Sequence, residues 1–282
     1  MDFSGFSSLE RIDDDAHVVE LRLDHGRVNA CGSAVIAEFE ELARRLAAAP
    51  EARVLILRSD KASSKGAPIF VAGADVTERA DWSDAEVIAH VRRQRGALLA
   101  LRALPLFTIV VVDGLALGLG TELMLAFDYR IASPAARFGL PETGLGIIPG
   151  ALGSTLLADV IGQHHALRLG CTGERINANE AQRLGLVDEL QDSPEAARAR
   201  ARELATLVAS KAPRAVAAFK GAMLELGASP ALDSRVVREA ASYEAQVRNG
   251  DAALGRANFK RIVAGEAPDW PPRSAEIVEA KP

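Results

Sequence analysis

Glu122 and Glu142 differ from the chain's many other carboxylates in lying among apolar residues. The first sits between Thr121 and Leu123, the second after Leu140-Pro141. Two carboxylates whose surroundings push their proton affinities apart can divide the roles of general acid and general base. Taken singly, a Glu in an apolar run is also explained by a buried salt bridge or by a helix face. Three glycine-bearing segments run beside them. They are Phe70-Val71-Ala72-Gly73-Ala74-Asp75, the stretch GLALGLGTE from Gly114 to Glu122, and Phe138-Gly139-Leu140-Pro141-Glu142 continuing to Gly146-Ile147-Ile148-Pro149-Gly150. A glycine-rich turn from strand to helix aims backbone N–H groups outward at a helix N-terminus, where developing negative charge is stabilised. Two such turns converging on one point make an oxyanion hole. Any one segment alone is explained by tight turns and close packing, so the case for chemistry rests on all three.

Other chemistry is harder to read from the chain. Gly118-x-Gly120 stops short of a dinucleotide fingerprint because position 123 is Leu123, and neither GxxxxGK[ST] nor HExxH occurs. His164 and His165 are adjacent and therefore point to different faces of a helix, as surface or packing residues do. Cys31 and Cys171 are the only cysteines and have no CxxC spacing, so neither a disulfide framework nor a zinc site is legible. Cys171 has no base near it in sequence to make it a nucleophile. We expect no metal.

The elements that must position these residues change character along the chain. His17 to Leu23 alternates as a half-buried strand, Ala34 to Ala48 has helical spacing, and Val54 to Leu57 is a short apolar strand. Asp84 to Leu104 is expected as a long amphipathic helix with Arg92, Arg93 and Arg95 toward water, followed by a β-branched strand at Thr108 to Val112. This succession predicts a mainly parallel α/β structure over residues 1–192. Strand signals then stop. Residues 193–282 read as a helical region, with helices at Ser193 to Val208, Pro213 to Leu226 and Pro230 to Val247, and a tail from Pro268. Three helices alone form a poor core, so they are expected to pack on the α/β part or on another subunit.

Composition narrows the function classes. The 282 residues are 49% hydrophobic and 25% charged, the usage of an ordinary globular protein. Lys and Arg number 33 against 38 Asp and Glu, so no summed positive field holds nucleic acid. The apolar stretch from Leu106 to Ala126 is broken by Asp113, Glu122 and three glycines, so no membrane span is expected. The acidic start and the two unpaired cysteines suggest a cytoplasmic protein.

In their order and spacing these segments resemble the crotonase (enoyl-CoA hydratase/isomerase) superfamily, from His25-Gly26-Arg27-Val28-Asn29-Ala30 to Ala257-Asn258-Phe259-Lys260. The resemblance implies a crotonase-type spiral of β-β-α turns with a C-terminal helical region. It implies the N–H groups of Ala74 and Leu119 as oxyanion donors to a CoA thioester, with Ala72, Gly73, Asp75 and Gly118 contacting substrate. Glu122 and Glu142, twenty positions apart, match the two catalytic glutamates of the hydratases. Glu122 would activate water for attack at Cβ, Glu142 would protonate Cα, and the Gly150 N–H would help hold the water. The expected reaction is hydration of a 2-enoyl-CoA, with CoA entering as part of the substrate and no separate cofactor. Enoyl-CoA isomerisation, thioester hydrolysis and a catalytically silent binding role are the alternatives. Family members similar to this chain form trimers or dimers of trimers. The sequence departs from the family at Leu119 and Leu152, where glycine is usual, and in a longer segment from Ser59 to Pro68.

Overall fold

The computed structural model describes residues 3, 5–13, 15–227, 231–248, 250–266 and 268. Among the described residues ten strands form two sheets. One has six strands in the order β1 (Leu9–Arg11), β2 (Val18–Leu23), β3 (Val54–Arg58), β5 (Phe107–Val112), β7 (Tyr129–Ala132) and β10 (Glu189–Leu190). All its pairings are parallel except β1 with β2. The other sheet has the order β4 (Ile69–Val71), β6 (Leu115–Leu117), β8 (Arg137–Gly139) and β9 (Ile176–Asn177), antiparallel only between β8 and β9. From β3 to β8 successive strands therefore alternate between sheets. β3 feeds β4, β5 feeds β6, and β7 feeds β8, each turn adding one parallel strand to both layers. This is the expected spiral of β-β-α turns.

The helices before the long C-terminal series are α1 (Ser33–Ala47), α2 (Asp84–Arg102), α3 (Leu119–Leu125), α4 (Gly153–Ile161), α5 (Gln163–Thr172) and α6 (Ala178–Leu184). A 3₁₀ turn, Pro141–Leu145, follows β8. The start of α2 is fixed by Ser83 and Glu86, which form a reciprocal capping box. The period-2 alternation of the strands builds two cores. Leu55, Leu57, Val110 and Val112 face the main cluster with Phe39, Phe70, Phe127 and Phe138, while Val54, Ile56, Ile109 and Val111 face the other side.

That second side is covered by α7 (Pro194–Ala209), whose Ala197, Ala201 and Ala205 form a small-residue stripe at helical spacing against the sheet. Packing by α7 buries β2 on both faces, so the half-buried expectation for it fails. Glu20 is 1% exposed because Arg58 and Arg202 of α7 both ion-pair with it. The remaining helices are α8 (Pro213–Gly227), α9 (Ala231–Arg248), α10 (Asp251–Ala257) and α11 (Phe259–Val263). Lys220 of α8 donates to the Leu106 carbonyl and pairs with Asp128. Tyr243 and Val247 of α9 pack with Val87, Ile88 and Val91 of α2. The expected tail from Pro268 lies almost wholly outside the described residues.

Candidate active site

The first glycine-bearing turn leaves β4 and is tied to Cys31 as a parallel bridge. The Cys31 N–H donates to the Gly73 carbonyl at 2.9 Å, and the Asp75 N–H donates to the Cys31 carbonyl at 3.1 Å. In a parallel bridge the central residue's own N–H points away from its partner. The Ala74 amide is thus turned out of the pairing, at a residue that borders a cavity. The second turn leaves β6 and enters α3, with Leu119 as first helical residue. First-turn amides have no partner within their helix, so the Leu119 N–H is also unpaired there. Gly118 has φ +51, and a Cβ there would lie 2.8 Å from Oε1 of Glu142, so a glycine is needed on both counts.

These turns meet at a cavity of about 250 Å³ bordered by Ala72, Gly73, Ala74, Gly118, Leu119, Glu122, Glu142 and Gly150. Eight of the nine sequence-predicted site residues are therefore brought together. Asp75 is the exception and its predicted substrate contact is corrected. It does not border the cavity, because its carboxylate folds back to accept the Thr77 N–H and hydroxyl at 3.0 and 2.6 Å. Leu119 is 3% exposed, packs in the main apolar core and also borders the cavity.

Both glutamates are buried, at 3% and 8% exposure for Glu122 and Glu142. Burial is the main cause that pushes the Glu122 carboxyl up to about 7, with the charge of Glu239 adding to it. Hydrogen bonds from the amides of Gly153 and Ala151, each 2.8 Å from Oε1, and the Arg95 cation oppose the rise. Burial also holds Glu142 well above the usual carboxylate range, reinforced by the charge of Glu122. Its Oε2 is buried and unpartnered among the described residues. One anion and one neutral acid are then the favoured state of the pair near neutral pH.

The turn from Gly150 to Gly153 holds this arrangement. The amides of Ala151 and Gly153 go to Glu122, the intervening Leu152 amide goes to Glu239 at 3.1 Å, and the Gly150 carbonyl accepts from Arg95 at 2.6 Å. Leu152 makes the alternation possible by adopting φ +87, a left-handed conformation that explains why glycine would be at home there. Arg95 and Glu239 also pair with each other at 3.1 Å. The expectation that Arg95 faces water is therefore wrong: it is 6% exposed, because α9 and this turn close over it.

Sequence reasoning missed Glu239, Arg95, Arg79 and Tyr243. The signal for α9 was present: Glu239, Tyr243 and Val247 recur at i, i+4 and i+8, which places a carboxylate on an apolar stripe. Among the described residues no group of three or more His, Cys, Asp or Glu could hold a metal ion, and no helix is long and apolar enough to cross a membrane.

A spiral of β-β-α turns that brings two glycine-bearing turns and two buried carboxylates to one cavity defines a crotonase-type fold. A sequence-family model described as "Enoyl-CoA hydratase/isomerase" matches residues 13–260, and the chain belongs to that family. It is 38% identical over 235 residues to the human "Enoyl-CoA hydratase domain-containing protein 2, mitochondrial", covering 82% of this chain and 78% of that one. It is 39% identical over 203 residues to an enoyl-CoA isomerase/hydratase of Mycosarcoma maydis, covering 72% and 71%. Among solved structures, an enoyl-CoA hydratase from Bacillus anthracis superposes with TM-score 0.73 at 32% identity, covering 94% of this chain and 99% of that one.

Proposed function

We propose that the protein hydrates a 2-enoyl-CoA thioester to the 3-hydroxyacyl-CoA. The observation that carries the reading is the shared cavity, in which two buried glutamates with raised proton affinity face two unpaired amides. The N–H groups of Ala74 and Leu119 hold the thioester oxygen as it gains charge. Ionised Glu122 takes a proton from water, whose oxygen bonds to Cβ while the C=C electrons move toward the thioester oxygen as an enolate. The enolate collapses as neutral Glu142 gives its proton to Cα. Water is added across the double bond, and the proton held by the pair has moved from Glu142 to Glu122. Ala72, Gly73 and Gly118 line the approach, and the Gly150 N–H is assigned to the attacking water. CoA is part of the substrate and no separate cofactor is invoked.

Isomerisation of a 3-enoyl-CoA is the second reading, favoured by the buried unpartnered Oε2 of Glu142, which could return a proton to another carbon. The experiment is product analysis on 2-enoyl- and 3-enoyl-CoA thioesters with the wild type, Glu122→Gln and Glu142→Gln. The expected result is hydration, lost by at least ~10²-fold in each variant. Double-bond migration that survives Glu122→Gln selects the isomerase, free CoA selects a hydrolase, and binding without product selects a silent role. A reducing compartment suits the two free cysteines. The cytoplasm is such a compartment, whereas the human relative carries mitochondrial in its name.

A further inference from the structure

Five residues past Ala74, Arg79 is 4% exposed in the wall shared by the catalytic cavity and a neighbouring one of about 430 Å³. Its Nη1 donates to the Tyr243 hydroxyl at 3.4 Å. Its Nε and Nη2 are buried without a hydrogen-bond partner, and among the described residues no carboxylate contacts it, the nearby Asp75 acting on it only through space while its oxygen is taken by Thr77. Burying a cation without an anion is among the costliest things a fold can do. A guanidinium left in that state beside a binding cavity is explained by a ligand that supplies the missing charge.

Its position says which part of the ligand that is. Tyr243 spans the gap between the catalytic centre and Arg79. A Cβ on Gly150 would lie 2.6 Å from the Tyr243 ring, while the hydroxyl meets Arg79. An acyl chain held by its thioester oxygen at Ala74 and Leu119 has its double bond at the two glutamates, and its far end comes next, at Tyr243 and Arg79. The surrounding wall is apolar, with Val91, Leu145, Ile147 and Phe259. Nε and Nη2 form one edge of the guanidinium fork, whose geometry matches the two oxygens of a carboxylate. The phosphates of CoA suit the exposed Lys260 and Arg261 on the rim of the second cavity instead.

We propose that the acyl group accepted at this site ends in a carboxylate, and that Arg79, steadied by Tyr243, recognises it. The substrate class is then the CoA monothioester of a short 2-enedioic acid. The proposal rests on the hydratase reading for the bond that reacts, but not for what binds.

The test compares glutaconyl-CoA with 2-pentenoyl-CoA, equal in chain length and differing in the terminal carboxylate, by kcat/KM. It also compares the unreactive glutaryl-CoA with pentanoyl-CoA by calorimetric binding. In the wild type the carboxylated member of each pair is favoured by roughly 30-fold or more, the cost of leaving a buried charge unpaired. In Arg79→Met both preferences collapse toward one, and Arg79→Lys restores part of them. A wild type that prefers the neutral members overturns the proposal, as do preferences that Arg79→Met leaves in place. If neither enoyl thioester is hydrated while glutaryl-CoA still binds preferentially through Arg79, the hydratase reading fails and the carboxylate site stands.

Discussion

Two backbone amides donate to one oxygen of Glu122, which favours the anion, and yet its carboxyl is pushed up to about 7. Burial and the nearby Glu239 charge outweigh the amides and Arg95. Moving a carboxyl from 4.5 to about 7 makes its anion costlier by on the order of 3 kcal/mol. The native state then binds more protons than the unfolded chain between those two values, so stability falls as pH rises through that window and stays low above it. Glu122→Gln is expected to remove this slope, and with it part of the rise in Glu142. The stability gained by the variant over the wild type should be larger at pH 8 than at pH 5, by up to about 3 kcal/mol in denaturant unfolding. A gain that does not vary with pH would mean that Glu122 is an ordinary carboxyl.

Among the elements, α9 contributes most that local sequence could not announce. The glutamate pair, the two glycine-bearing turns and Gly150 are all encoded within residues 72–150, where apolar neighbours and glycines mark them. Glu239 and Tyr243 reach the same place from a helix that begins at Ala231, and only the packing of α9 on α2 brings them there. The spiral was legible because strand and helix periods alternate cleanly, whereas the exposure of Arg95 was misjudged because its partner lies 144 positions away. Glu239→Gln tests the role of α9. It leaves an acceptor for the Leu152 amide but strips the charge facing Arg95 and Glu122, so Glu122 becomes easier to ionise. The acidic limb of the kcat/KM profile should move to lower pH while kcat falls. Stability should drop by about 3 kcal/mol, the scale of breaking a buried pair. A fall in stability with an unmoved pH profile would reduce Glu239 to a structural role.

For the whole molecule, the C-terminal helices leave apolar side chains uncovered: Phe219 and Val237 are 68% and 67% exposed, and Met223 46%. Apolar surface of this kind on adjacent helices favours closed association. A homotrimer or a dimer of trimers is the expected assembly, and light scattering at micromolar concentration checks it. A monomer would leave those side chains without a reason. The placement of Glu239 also gives the molecule a history in time. Chains are made from the N-terminus and their early parts fold first. The α/β spiral and both glycine-bearing turns are complete well before residue 239 emerges. Until then the Gly150 to Gly153 turn has Glu122 on one side and an unanswered Arg95 on the other. A newly made chain therefore carries its two buried glutamates before it carries the residue that tunes them, and the finished site arrives only near the end of its synthesis.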